Sequence, residues 1–220
     1  MTFSILAQDL DTGALGGAAA TGAPCVGGWV LRGDSRAGMS ATQGAAPSTL
    51  WGEDSLVQMR AGDTAEQALA AVTGPDAGRA WRQLALLDCA GRTACHTGVS
   101  NTEWRGALAA PGLVVLGNLL AGPQVLEALR DTFLATPGHL SQRLLAALTA
   151  AERAGGDKRG LQSAALLVVS DDSPPLTLRV DWSQDPIAAL HDLHERIQSG
   201  DYAAWLRTLP TRNDPEGSYD

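Results

Sequence analysis

Apolar and polar positions change period several times along the 220-residue chain, and those changes divide it into elements. TFSILAQD (2–9) and GALGGAAATG (13–22) are short extended runs joined by the turn-like LDTG, which predicts a hairpin. The second run holds too much Gly and Ala for bulky packing, a composition that lets other groups approach a strand closely. GWVLRG (28–33) and RAGMSATQ (36–43) read as a second strand pair around Gly33 and Asp34. The period then becomes helical. Leu50, Leu56, Val57 and Met59 predict a helix over 49–61, and TAEQALAAV (64–72) a second one opened by an Asp63-Thr64 capping box.

Strands return at QLALLD (83–88), RTACHTG (92–98) and LVVLGN (113–118). Helices follow at 123–135, where Pro123 suits a first turn, and at 139–154, where Leu140, Leu144, Leu145, Leu148 and Ala151 share a face before Gly155-Gly156. QSAALLVVS (162–170) and LTLRVDW (176–182) form a last strand pair. A helix capped by Asp185-Pro186 buries Ile187, Leu190, Leu193, His194 and Ile197. The polar tail TRNDPEGSYD reads as frayed.

This order is four strands, two helices, three strands, two helices, two strands and a helix. A doubly wound parallel sheet needs single alternation, so it does not fit. Helix pairs that cover sheet faces predict an α+β fold: two stacked, mainly antiparallel sheets with helices outside each, a four-layer αββα sandwich. The order resembles that of N-terminal-nucleophile (Ntn) hydrolases, a likeness of pattern that does not by itself give function. No linker or repeat breaks the chain, so 1–200 is expected to be one domain and 201–220 a short extension.

Composition narrows the class. The net charge of −8 argues against nucleic acid, whose phosphates demand a basic face. Lys158 is the single lysine. The N-terminus lacks a basic region followed by an apolar core, and no stretch of about 18 apolar residues exists, so neither a signal peptide nor a membrane span is expected. Three scattered cysteines, Cys25, Cys89 and Cys95, suit a reducing cytoplasm.

MTFSILAQD, the Gly/Ala strand after DTG, SATQG (40–44), GNLLAGP (117–123) and above all GGDKRGLQSAALLVV (155–169) resemble the bacterial "domain of unknown function 1028" family, placed in the Ntn hydrolase superfamily. The resemblance runs from Thr2 to roughly Glu195. It implies the αββα fold and acyl-transfer chemistry, and it implies no substrate.

Thr2 is the first candidate residue. It is either a strand-edge threonine or, after removal of Met1, a nucleophile whose own α-amine is the base. Proteasome-like enzymes keep a lysine near the nucleophile, and the N-terminal half here has none; Arg32 brings charge but cannot shuttle a proton. Asn118 at the end of LVVLGN is either a turn former or an oxyanion donor. Asp157 and Arg159 either fix a loop or bind substrate, with Arg159 able to fork onto a carboxylate; Gln162 and Ser163 continue that group.

Cys25, in the Gly-rich TGAPCVGGW, is the alternative nucleophile, although no histidine adjoins it in sequence. Cys89, Cys95 and His96 lack metal-site spacing, and the two cysteines read as buried hairpin residues. His191 and His194 match no zinc-helix order, and His194 belongs to the apolar stripe. The tryptophans read as core or rim packing. No metal or cofactor is therefore expected. The reading is hydrolysis of a small amide or related acyl bond in the cytoplasm, with a possible homo-oligomer. The alternative is a non-catalytic ligand-binding or assembly protein on the same fold.

Overall fold

A computed structural model describes residues 2–218. Its strands are β1 (Thr2–Gln8), β2 (Leu15–Thr21), β3 (Leu31–Asp34), β4 (Gly38–Gly44), β5 (Arg82–Asp88), β6 (Thr93–Thr97), β7 (Gly106–Ala110), β8 (Leu113–Asn118), β9 (Ser163–Val169) and β10 (Leu176–Val180). The helices are α1 (Val26–Trp29), α2 (Thr49–Arg60), α3 (Ala65–Thr73), α4 (Gln124–Ala135), α5 (Leu140–Arg153), α6 (Pro186–Arg196) and α7 (Gly200–Leu206). The result is a mixed α+β protein with two antiparallel sheets. One has the order β10-β9-β2-β1-β8-β7 and the other β3-β4-β5-β6. No helix among the described residues is long and apolar enough to cross a membrane.

Strand alternation sorts side chains into separate apolar layers. Phe3, Ile5, Ala18, Ala20 and Val115 meet Leu126, Leu129, Leu144 and Leu148 of α4 and α5. From the opposite face of the same strands, Leu6, Ala19, Val114 and Leu116 meet Met39, Ala41, Ala85 and Leu87 of the second sheet. Leu84 and Leu86 then face Trp51 and Met59 of α2 and Ala65 and Ala68 of α3. Both faces of both central strand pairs are covered, which is why β1 and β5 read as nearly unbroken buried runs.

The Gly/Ala composition of β2 follows from crowding on two sides. A Cβ on Gly16 would lie 2.8 Å from Leu144 Cδ1 of α5, and one on Gly17 2.8 Å from Leu6 Cδ2. Small residues also decide how α2 sits. Of the apolar residues that set its period, Leu50 and Val57 are exposed, whereas Met59 is buried together with Trp51, Gly52 and Ser55. Gly52 brings the helix so close that a Cβ there would meet Ser40 Oγ at 2.8 Å. Apolar periodicity alone could not register that approach.

The expected capping signals appear where the sequence places them. Thr64 accepts from Gln67 N while the Gln67 side chain accepts from Thr64 N. Asp185 caps α6 with Pro186 in its first turn, and α5 ends where Gly155 takes φ +116°. Three features differ from the expectation. Residues 26–29 turn as a short helix before β3, because four residues between Thr21 and Val26 must redirect the chain from one sheet to the other. β7, rich in Gly and Ala, pairs with β8 at the sheet edge. Residues 200–206 fold into α7, and the following tail, read as frayed, returns to the turns after β3 and β9. Asn213 N donates to Asp171 O at 3.1 Å, and Arg212 lies 3.6 Å from both Asp34 and Asp171. Tyr219 and Asp220 lie outside the described residues.

Candidate functional site

The apolar layer between the sheets turns polar at one end, and Thr2 stands there. On the inter-sheet face of β1 the order is Thr2, Ser4, Leu6, so polarity increases toward the N-terminus. Register carries the change sideways. Thr2 lies opposite Thr21 of β2 and opposite Asn118 of β8, the last residues of their strands. From the facing sheet, Gln43 and Gln83 pair with each other across β4 and β5, and Gln83 pairs with Thr97 of β6. Six strands thus deliver hydroxyl and amide side chains to one place.

These groups form a single connected network. Gln43 Nε2 donates to Thr2 O at 3.0 Å and to Gln83 Oε1 at 3.1 Å, while its Oε1 accepts from Ser4 Oγ at 2.7 Å. Gln83 Nε2 donates to Gly117 O at 2.9 Å and Thr97 Oγ1 at 3.1 Å. Its Oε1 also accepts from Asn118 Nδ2 at 2.6 Å. Gln43 and Gln83 are buried, and both amide groups have all their hydrogens engaged. The Thr2 hydroxyl donates to Thr21 Oγ1 at 3.2 Å. A network satisfied this fully holds its members in one geometry.

A cavity of about 450 Å³ opens in front of Thr2. Its polar lining is Thr2, Thr21, Thr42 and Gln43, and its apolar lining includes Ala23, Val26, Trp29, Val30 and Pro47. Among the described residues that line it, none is charged or titratable. Thr42 Oγ1 donates to Trp29 O at 3.0 Å, which ties the α1 wall to β4.

The other expected site residues gather behind this wall. Asp157, its side chain fully buried, accepts from Gly22 N at 2.6 Å and Arg159 N at 2.8 Å, and pairs with the Arg159 guanidinium at 3.1 Å. Gln162 Nε2 donates to Gly22 O at 3.0 Å. Ser163 Oγ donates to Ala23 O at 2.7 Å and accepts from Val26 N at 3.0 Å. The DKRGLQS stretch therefore grips the loop from Gly22 to Val26, which forms one side of the cavity. Gly22 has no room for a side chain, since a Cβ would lie 2.5 Å from Gly160 O.

Cys25 caps α1 in a left-handed conformation, φ 66°, is exposed, and is not among the cavity's lining residues. Cys89 and Cys95, expected to be buried, are exposed as well: their hairpin lies at the edge of the smaller sheet. Desolvation of the partly covered sulfurs still pushes both thiols above their ordinary range, Cys89 further through the neighbouring Asp88. Arg32 binds the Gly28 and Leu31 carbonyls and pairs with Glu53 at 3.4 Å. On the helical side His191 Nε2 bonds Thr149 Oγ1 at 3.0 Å and His194 Nε2 bonds Ser141 Oγ at 2.9 Å. Of the tryptophans, Trp51 is buried, whereas Trp29, Trp81, Trp182 and Trp205 are exposed.

Gln43, Gln83, Ser4 and Thr97 escape sequence reading as site residues. Their signal was a polar residue at one end of each of several apolar strands, which acquires meaning only once the ends are known to coincide.

Fold and site define an α+β protein whose two antiparallel sheets enclose a hydroxyl- and amide-lined cavity beside the first strand. The chain belongs to a family of unknown function (DUF1028), whose model matches residues 2–190. It is similar to the crystal structure of a Silicibacter pomeroyi protein described with the same family model. The two are 51% identical over 100% of this chain and 96% of that one, with a TM-score of 0.96. No curated protein matches the chain.

Proposed function

We propose that this protein is a hydrolase of the N-terminal-nucleophile type, acting on a small amide or related acyl bond, with Thr2 as nucleophile after removal of Met1. The observation that carries this reading is the position of Thr2: first residue of the central strand, hydroxyl on the cavity wall, carbonyl anchored by Gln43. The layering supports it. α2 and α3 cover one sheet, and α4, α5 and α6 cover the other, in the αββα order of that superfamily.

A threonine hydroxyl needs a base, and no lining side chain supplies one. The α-amine that Met1 removal would leave on Thr2 is the base in this reading. Thr2 Oγ1 attacks the acyl carbon as its proton passes to the amine, giving a tetrahedral oxyanion. Collapse expels the leaving amine, which takes that proton. Water then cleaves the Thr2 ester by the same route reversed. Asn118 neighbours Thr2 across the ladder and places one amide hydrogen on Gln83; the other is proposed to bind the oxyanion. Asp157, Arg159, Gln162 and Ser163 serve by holding the cavity loop. The three free cysteines fit a cytoplasmic setting.

The test is the intact mass of purified protein before and after a threonine-reactive β-lactone, with the adduct located by peptide mapping. Loss of Met1 and an adduct on Thr2 are expected. Retained Met1 without an adduct would remove base and nucleophile together, and the protein would then be a ligand-binding or assembly member of the fold. An adduct on Cys25 that survives Thr2→Ala would point to thiol chemistry.

A further inference from the structure

We propose that the acyl group accepted in front of Thr2 carries an uncharged, hydrophobic side chain of branched-aliphatic or aromatic size, received by Val26, Trp29, Val30 and Pro47. This rests on the hydrolase reading and names its substrate class. The cavity lies within the range of small-molecule sites, about 300–1,000 Å³. No lining side chain among the described residues is charged, and the Thr2 α-amine acts as base only when neutral, so an ionised substituent buried beside it would lose its water without gaining a counter-ion.

The neighbouring charges are engaged elsewhere. Arg32 is held by two carbonyls and Glu53, Asp157 by Gly22 and Arg159, and Arg179 pairs with Asp181 at 2.9 Å. The polar lining groups are committed as well. Thr42 bonds Trp29 O, and the Gln43 amide is saturated by Ser4, Thr2 and Gln83. What remains for contact is apolar surface, together with a half-exposed indole, Trp29, on the wall.

That wall is pre-built. Cys25 N donates to Asp181 O and Val26 N to Ser163 Oγ, and α1 packs so closely that a Cβ on Gly27 would lie 2.7 Å from Arg179 Cγ. Binding therefore needs little ordering of α1, and shape can discriminate.

The experiment uses four β-lactones that differ only in substituent: benzyl, isobutyl, carboxyethyl and aminobutyl. Adduct formation on Thr2 is followed by intact mass, on protein shown to lack Met1. Benzyl and isobutyl lactones are expected to react at least tenfold faster than the charged pair. Trp29→Ala should slow the benzyl lactone at least fivefold. Equal or faster reaction of a charged lactone would overturn the proposal while leaving the hydrolase reading intact. If no lactone labels Thr2, the hydrolase reading fails, and quenching of Trp29 fluorescence decides the cavity's preference. With Trp29→Phe as the blank, N-acetylphenylalaninamide should quench and N-acetylglutamate should not. The reverse order, or no change with either compound, overturns the proposal.

Discussion

Replacing Gln83 with leucine should test whether the inter-sheet amides hold the site together. The side chain makes four hydrogen bonds: it accepts from Gln43 and Asn118 and donates to Thr97 and Gly117. Leucine fills similar space but leaves an N–H on Gln43 and one on Asn118 without partners, both in buried residues. Each stranded buried group costs about 1–3 kcal/mol, and Gly117 O loses a donor too, so Gln83→Leu should cost about 3–5 kcal/mol. For a chain of this size each kcal/mol moves the melting temperature by about 2–4 °C, so a drop of at least about 6 °C is expected. Urea denaturation of the wild type, both single leucine variants and the Gln43→Leu/Gln83→Leu double variant completes a cycle. The Gln43–Gln83 bond is lost in either single variant, so the double should be less destabilised than the sum by about 1–2 kcal/mol. A Gln83→Leu protein within about 1 kcal/mol of wild type, or strict additivity, would refute the network.

Other consequences can be measured on the same protein. Asp157→Ala removes an acceptor shared by Gly22 N and Arg159; because Arg159 is partly solvated, the loss should be about 2–4 kcal/mol rather than that of a stranded buried charge. It should also slow Thr2 labelling through the Gly22 loop, and a loss of less than about 0.5 kcal/mol in urea would contradict this. Burial, and secondarily the charge of His191, holds His194 below its ordinary 6.5, with Glu195 opposing. Between the folded-state value and 6.5 the unfolded chain binds the extra proton. Stability is thus full above pH 6.5 and declines as pH falls below it. His194→Gln should remove that step from urea midpoints, and identical profiles for the two proteins would refute the assignment. All three cysteines should alkylate in the folded protein, Cys89 and Cys95 more slowly at pH 7 than a free peptide thiol because their pKa values are raised. Thr2 labelling should survive that alkylation; its loss would favour Cys25.

Elements that repeat a period over many residues were legible in the sequence. The leucines of α5 and the caps of α3 and α6 have only one arrangement that buries and satisfies them. Where small residues set the approach, periodicity misled: α2 faces its sheet through Gly52 and Ser55 rather than Leu50 and Val57. β7 was invisible because GALAA pairs at a sheet edge through its backbone and shows little apolar alternation. Thr2 and Asn118 could be singled out from their positions, and the structure sets them side by side. Gln43 and Gln83 could not, because their importance lies in a pairing across β4 and β5 and a contact between sheets. The DKRGLQS group was recognisable as a unit, yet only the fold connects it to the loop at Gly22.

The most direct test of the central claim is the pH dependence of Thr2 labelling by a neutral β-lactone, measured on protein lacking Met1. An α-amine acting as base must be unprotonated. The rate should therefore rise with pH, have its midpoint near an ordinary α-amine at about 7.7–8.0, and level off above it. A protein with one glycine inserted before Thr2 moves the amine away and should label at least a hundredfold more slowly. Absence of labelling at Thr2 at any pH, or equal rates with and without the inserted glycine, would contradict the claim that Thr2 is an N-terminal nucleophile.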